Sequence, residues 1–359
     1  MKIVEIIPQL SSGGAERFTV DLCNEFAAQG HEVLLVTLYK VRADDTLGFY
    51  LPELSPNVML HELHKAPGFD FKLMYKLYQL IRQFKPDVVH SHLRSLPYIF
   101  PSSLVSRRIK FFHTIHNDAQ KEASDIINRI SRKISFKCQF CHPVTISNES
   151  DQSFDIYYGQ DVSHTLIPNG SPDKISNSIN APEVLEAKAK GKIVIVNIAR
   201  INPQKNQLEL IEAIRNYPEI ELLIIGNDSE SYAELVKTKA PENVKILGQR
   251  ANPRDYMKAA DAFILSSIYE GMPITLIECF SVGAIPIVTP VGGIVNMVTN
   301  NLNGILMEGS TEKDISNAIY RYIQMSDEKK RLIQENSRKS FFNYSMVMCA
   351  NKYISLFNS

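Results

Sequence analysis

The chain predicts an α/β protein built as two facing Rossmann-like domains with an interdomain cleft, and three observations carry the prediction. Short β-branched apolar runs alternate with helical patterns along the whole length, which is how βαβ units and parallel sheets read in sequence. The alternation runs twice, on either side of a polar stretch at residues 171–182 that follows the turn signal Pro168-Asn169-Gly170. A length of 359 residues suits two domains of roughly 150–200 residues each.

Taken in order, strands are expected at residues 3–7, 33–37, 88–90, 111–115 and 142–146, with a short one at 165–167. Helices fall between them, at 16–29 and 72–83 for example. The second half expects strands at 193–199, 221–225, 244–247, 262–265, 285–289 and 304–307. The halves share this layout without obvious sequence identity. The domains are therefore residues 1–168 and 169–340, with a final segment, 341–359, whose Phe342, Tyr353 and Phe357 fall at helical spacing.

Composition narrows the function class. Apolar residues make up 44% and charged residues 22%, as in ordinary globular proteins. The 39 basic side chains balance 39 acidic ones, which argues against a dedicated nucleic-acid binder. Five cysteines form no disulfide framework and point to a reducing cytoplasm. Cys138-x-x-Cys141 with His142 has no second cluster to complete four zinc ligands, so ordinary thiols are favoured. The N-terminus opens straight into a strand, unlike a signal peptide, and no apolar run reaches the ~20 residues that span a bilayer. Surface binding to a membrane stays open.

Four segments carry chemistry. Gly13 and Gly14, between the first strand and first helix, let backbone N–H groups approach a phosphate at a helix start, although a plain Gly-Gly turn explains them equally well. Arg200 and Lys205 follow the strand at 193–199, at the carboxyl end where open α/β sheets bind ligands. Two cations there can neutralise a diphosphate, and the bland alternative is a solvated loop. Glu270 and Glu278 flank the turn Gly271-Met272-Pro273 and a helix start at Ile274, Thr275 and Leu276. Carboxylates accept hydrogen bonds from vicinal diols, and the N–H groups around Met272 to Leu276 can meet phosphate or sugar oxygens. A helix merely capped by acidic groups is the alternative. His116 ends the strand at 111–115, where it can face a cleft, whereas His113 within that strand suits a satisfied core imidazole.

The run Ser266 to Pro290, with Glu270-Gly-Met-Pro and Glu278, resembles the E-x7-E signature of family 4 glycosyltransferases, and Arg200 with Lys205 resembles that family's R-x4-K clamp. Leu10 to Arg17, Asp87-Val-Val-His90-Ser-His92, Ile167 to Gly170, Ile224-Ile-Gly226, Gly248 and Val291 to Gly293 match weaker family features in the same order. The resemblance covers nearly the whole chain. It implies a GT-B fold, a nucleotide-sugar donor and a retaining, metal-independent transfer, with a last helix that crosses back to the first domain. Residues 1–168 would bind the acceptor and 169–340 the donor. Glu270 would contact the transferred sugar, Glu278 the ribose hydroxyls, Gly226 the base pocket and His116 the reacting centre. His90 and His92 suit acceptor-side architecture or a structural role equally.

The mechanism this implies is same-face attack. The leaving phosphate, held by Arg200 and Lys205, takes the acceptor's proton as the sugar passes through an oxocarbenium-like state, and domain closure excludes water. The donor is expected to be a UDP-sugar, with no metal and no other cofactor, since no Asp-x-Asp triplet anchors a metal-diphosphate. The acceptor is expected to be a glycan, lipid-linked, in surface polysaccharide or glycoconjugate synthesis. A basic segment from Arg107 to Lys137 carries an apolar stripe of Ile126, Ile127, Ile130, Ile134 and Phe136. It suits an anionic membrane surface, on the cytoplasmic face of the inner membrane, or a domain helix with a solvated basic side. Two further readings stay open: a sugar-nucleotide 2-epimerase of the same fold, and a non-catalytic nucleotide-sugar-binding subunit. A nicotinamide dehydrogenase is a distant third, because neither half has the dinucleotide fingerprint after its first strand.

Overall fold

A computed structural model describes residues 1–42, 46–106, 108–123, 125–174, 178–228 and 231–359. The chain forms two compact units, one of Met1–Pro172 with Ser345–Ser359 and one of Asp173–Tyr344. Asn169, Gly170 and Ser171 therefore belong to the first unit, where Ser171 bridges to Ser345 at the start of the last helix. Residues 175–177 of the expected linker lie outside the described residues.

The first unit holds a parallel sheet of seven strands: β1 (Lys2–Ile7), β2 (Glu32–Thr37), β3 (Met59–Glu62), β4 (Val88–His92), β5 (Lys110–Ile115), β6 (His142–Thr145) and β7 (Thr165–Leu166). Their order is β3-β2-β1-β4-β5-β6-β7. The chain steps outward from β1 to β3, then returns to β4 on the other side of β1. That reversal makes the gap between β1 and β4 a topological switch point, where open sheets bind ligands beyond the strand ends. β3 has no counterpart among the expected strands. It is an edge strand with Met59 and His61 exposed, so it never produces a continuous apolar run.

The last helix, Met346–Asn358, belongs to this unit. Ser345 caps it by accepting from the Met348 amide, a typical N-cap. Its Tyr353 and Phe357 are buried, with the Phe357 ring 4.8 Å from Phe112 and the Tyr353 ring 5.1 Å from His90. Phe342 does not join them. It sits in a separate turn, Phe341–Tyr344, of the second unit and is 69% exposed, because the chain leaves that turn before the helix begins.

The second unit holds six parallel strands: β8 (Ile193–Ile198), β9 (Ile220–Ile225), β10 (Val244–Gly248), β11 (Ala262–Leu265), β12 (Pro286–Val288) and β13 (Ile305–Leu306), ordered β10-β9-β8-β11-β12-β13. Ile195, Leu222, Ile224, Ile264 and Ile287 on these strands share one core with Ile211, Ile214, Ile315 and Ile319 from covering helices. Strands buried on both faces read as near-continuous apolar runs, broken here only by single polar residues such as Asn197 and Glu221, which is why these are legible. The switch point here lies between β8 and β11. The helix Ile274–Val282 follows β11 and ends at Gly283, whose φ of 68° is the left-handed cap that glycine adopts without strain.

Candidate active site

Three loops meet at the carboxyl edge of the second sheet. The loop after β8 carries Arg200 and Lys205, the loop after β11 carries Ser266 to Pro273, and the loop after β12 carries Val291 to Gly293. Asn202 caps a short turn, Pro203–Lys205, by accepting from the Lys205 amide, which fixes where Lys205 starts. The first two loops are then stitched together. Ser266 Oγ donates to the Lys205 carbonyl at 3.1 Å, the Ile268 amide to the Gln204 carbonyl at 2.8 Å, and Gln204 Nε2 to the Tyr269 carbonyl at 2.9 Å. Lys205 Nζ lies 2.5 Å from Glu270 Oε1, and Ser267 Oγ donates to the same oxygen at 2.6 Å. The third loop closes on this pair. Thr289 Oγ1 donates to the Ser267 carbonyl, the Gly293 amide to the Gly271 carbonyl, and a β-carbon at Gly292 would overlap the Glu270 carbonyl oxygen.

Lys205 and Glu270, 65 positions apart in sequence, thus form one ion pair at the switch point, with side chains 13% and 6% exposed. Arg200 stays exposed, and its carbonyl accepts from Gln207 Nε2. Gly226 ends β9 against the β8 loop so closely that a β-carbon would overlap the Ala199 carbonyl, a packing role for a residue expected in a base pocket. Glu278 is buried in its helix and meets Arg254 Nη2 at 3.2 Å. Arg254 went unnoticed in the sequence. It follows Asn252-Pro253 at a helix start, and nothing in that spacing announces a carboxylate partner.

The amides expected around Met272 to Leu276 are fewer than the run suggests. Pro273 has no N–H, and the Leu276 N–H is spent on the Pro273 carbonyl at 3.1 Å. Ile274 and Thr275 open the helix, so their N–H groups have no carbonyl one turn back inside it.

In the first unit, Gly13 caps the helix Gly14–Ala28 as expected of a Gly-Gly turn. The space over Gly13 is held by the chain's own Glu16 carboxylate, which a β-carbon there would overlap and which accepts from Ser11 Oγ at 2.8 Å. An acidic side chain in a helix's first turn interacts favourably with its positive end, so Glu16 sits where the sequence suggested a phosphate.

His116 follows β5, beside that unit's switch point. Its Nε2 faces His92 Nδ1 at 2.9 Å, and its backbone N–H donates to Glu122 Oε2 at 2.7 Å. His92 Nε2 lies 2.8 Å from Glu5 Oε2, and His90 Nδ1 3.0 Å from the same oxygen. Burial lowers the pKa values of His90, His92 and His116 to about 3 and raises that of Glu5. The spacing of Glu5, His90 and His92 would also suit a cation, the one such group among the described residues. His113, assigned to the core, is fully buried. Its Nδ1 meets Ser91 Oγ at 2.8 Å, while its Nε2 has no hydrogen bond among the described residues. Cys138 is exposed, and burial pushes the Cys141 thiol pKa up, away from thiolate chemistry.

The helix Ile126–Lys137 inverts the usual pattern. Asn128, Ser131, Arg132, Ser135 and Phe136 face inward, whereas Ile126, Ile127, Ile130 and Ile134 are 39–62% exposed beside Arg129, Lys133 and Lys137. Phe136 therefore leaves the stripe it was read into. Arg107, at the head of the basic segment, lies outside the described residues. Buried Arg132 donates to Glu122 Oε1 at 2.8 Å and so supports the carboxylate that holds the His116 backbone.

Comparison with known proteins agrees with both halves. Residues 12–172 match the family model described as Glycosyltransferase Family 4, and residues 183–340 that described as Glycosyl transferases group 1. The UDP-Gal:alpha-D-GlcNAc-diphosphoundecaprenol alpha-1,3-galactosyltransferase of Escherichia coli is 25% identical over 339 residues, covering 88% of this chain and 84% of that protein. A GalNAc-alpha-(1->4)-GalNAc-alpha-(1->3)-diNAcBac-PP-undecaprenol alpha-1,4-N-acetyl-D-galactosaminyltransferase of Campylobacter jejuni is 25% identical over 369 residues, covering 99% and 95%. Among solved structures, Anabaena HepE in complex with UDP and glucose superposes with a TM-score of 0.83 at 19% identity, covering 100% of this chain and 99% of that one. Its fold, like that of a Rickettsia africae glycosyltransferase at TM-score 0.79, 20% identity and coverage of 99% and 97%, is shared across both units. The two family matches divide the sequence between them, and the chain belongs to glycosyltransferase family 4 with the GT-B fold.

Proposed function

We propose that this chain transfers a hexose or N-acetylhexosamine from a UDP-sugar to a lipid-linked glycan with retention of anomeric configuration, in surface polysaccharide synthesis. The observation that carries the reading is the Lys205–Glu270 pair at the switch point of the second unit, with Arg200 on the same loop. A nucleoside diphosphate meeting this edge finds two cations for its phosphates and a carboxylate for its sugar hydroxyls. Lys205 is already partnered by Glu270. As phosphate takes over the lysine, the carboxylate is released to the sugar.

The leaving phosphate, charge-stabilised by Arg200 and Lys205, is then the base that takes the acceptor hydroxyl's proton on the same face of the ring. Donor oxygens bind side chains and helix amides, without a metal. Glu278, oriented by Arg254, is the carboxylate for the ribose diol, and His116 hydrogen-bonds the sugar. The lipid-linked acceptor is supported by the two bacterial relatives, which are named for undecaprenol-diphosphate-linked acceptors.

The test is turnover of UDP-sugars on a synthetic lipid-diphosphate glycan, with the product's anomeric configuration read by NMR. Retained configuration, and a Glu270→Ala protein that binds nucleotide but turns over far more slowly, are expected. An inverted product, or unchanged turnover in Glu270→Ala, would refute the assigned chemistry.

The same reading puts the enzyme at the cytoplasmic face of a membrane, held peripherally by the helix Ile126–Lys137. No helix among the described residues is long and apolar enough to cross a bilayer. The outward isoleucines suit the acyl boundary, and Arg129, Lys133 and Lys137 suit anionic headgroups.

A further inference from the structure

Glu5 lies in the middle of β1 with no exposed surface, and two imidazoles close on its carboxylate, His90 Nδ1 at 3.0 Å and His92 Nε2 at 2.8 Å. Each ring has a second partner on its other nitrogen. His90 Nε2 meets Thr114 Oγ1 at 2.7 Å, and His92 Nδ1 meets His116 Nε2 at 2.9 Å. Thr114 Oγ1 meets Tyr353 Oη of the last helix at 2.9 Å. One unbroken row of polar contacts runs from Tyr353 to His116 with Glu5 at its centre.

The protons in this row can be counted. Burial keeps all three imidazoles neutral at ordinary pH, so each carries one proton. Both imidazoles converge on the one oxygen Glu5 Oε2, and with that carboxylate ionised it accepts from both, which puts the protons on His90 Nδ1 and His92 Nε2. His92 Nδ1 then accepts, and the proton between the last two rings sits on His116 Nε2. His116 Nδ1, which has no hydrogen bond among the described residues, is left with a lone pair. A donor in place of the carboxylate reverses the row and puts N–H on His116 Nδ1. The backbone of His116 is fixed separately, since Glu122 Oε2 accepts from the amides of His116 and Asn117.

We propose that Glu5, acting through His92, sets the tautomer of His116 so that its Nδ1 offers a lone pair to a hydroxyl of the bound sugar. The proposal rests on the glycosyl-transfer reading above for its ligand. Glu5 and His92 are positioning residues that never touch the substrate.

The test is long-range proton–nitrogen NMR on the full chain with nitrogen-15-labelled histidine, which separates Nδ1–H from Nε2–H rings. His90 is expected as Nδ1–H, and His92 and His116 as Nε2–H. In Glu5→Gln the side-chain amide can donate to His92. His116 should then gain the Nδ1–H form, and turnover should fall by roughly tenfold or more at an unchanged nucleotide dissociation constant. His116 found as Nδ1–H in the unaltered protein overturns the proposal whether or not Glu5→Gln folds. So does a tightly held divalent ion in the purified protein, which would take His90 Nδ1 and His92 Nε2 as ligands and move their protons to the other ring nitrogens. Full turnover in a Glu5→Gln protein whose His116 tautomer has changed overturns the functional role. A protein with the expected tautomers that transfers no sugar from any nucleotide donor overturns the glycosyl-transfer reading and the ligand with it, leaving the tautomer assignment standing.

Discussion

Replacing Lys205 with Met keeps most of the side chain's unbranched stem and removes its charge, leaving Glu270 buried without its cation. Removing one partner of a buried ion pair costs about 3–5 kcal/mol. Here Lys205 is 13% exposed, and Ser267 Oγ still donates to Glu270 at 2.6 Å, so the expected loss is smaller, about 2 kcal/mol. For a unit of this size that lowers the melting temperature by roughly 4–8 °C. Adding Glu270→Gln removes the stranded charge, and the double variant should recover about half of the loss. Scanning calorimetry of the full chain with both single variants and the double variant measures the coupling directly. A Lys205→Met protein melting within ~1 °C of the parent, or a coupling below ~0.5 kcal/mol, would refute the view that this pair locks the two loops.

Two further outcomes follow from the first unit. Changing Ile126, Ile130 and Ile134 together to Ser should weaken binding to anionic vesicles by on the order of 100-fold, at about 1 kcal/mol for each partly inserted side chain. The melting temperature should stay unchanged, because these side chains are 42–62% exposed, and undiminished vesicle binding would remove the membrane assignment. The second outcome concerns pH. His90 and His92, fully buried, have folded-state pKa values of about 3, while the unfolded chain titrates near ~6.5. Above that value both states are neutral and stability is flat. Below it the unfolded chain takes up protons the folded one refuses, so stability falls toward pH 3 by up to roughly 2–3 kcal/mol per pH unit. Glu5, raised by burial, offsets part of the loss. Urea unfolding at pH 7.5 and ~5.5 should show the drop, and equal stabilities would contradict the buried neutral pair.

Legibility in the sequence followed burial. Strands covered on both faces, such as Ile193–Ile198 and Ala262–Leu265, announce themselves as apolar runs, and the motifs at Arg200, Lys205 and Glu270 stand at their ends. Met59–Glu62 escaped because an edge strand keeps alternate residues in water. Glu5 escaped for a different reason. A lone acidic residue inside Ile3 to Ile7 was a signal in itself, since a charge in a buried strand needs partners, but those partners come from another strand 85 and 87 positions away. The helix Ile126–Lys137 had its stripe read correctly at the isoleucines, but periodicity alone says nothing about which face turns inward. There the buried Arg132–Glu122 contact overrides the apolar pattern. The Glu278–Arg254 contact joins two helices whose sequences carry no trace of each other.

Binding of a nucleoside-diphosphate sugar by the loops after β8 and β11 is read by calorimetric titration of UDP, GDP, ADP and their sugar conjugates into the parent protein and Lys205→Ala. The uridine series should bind, about tenfold or more weakly in Lys205→Ala through loss of a charge-assisted phosphate contact. Undiminished binding in Lys205→Ala, or no binding of any nucleotide sugar to the parent, would contradict donor binding at these loops.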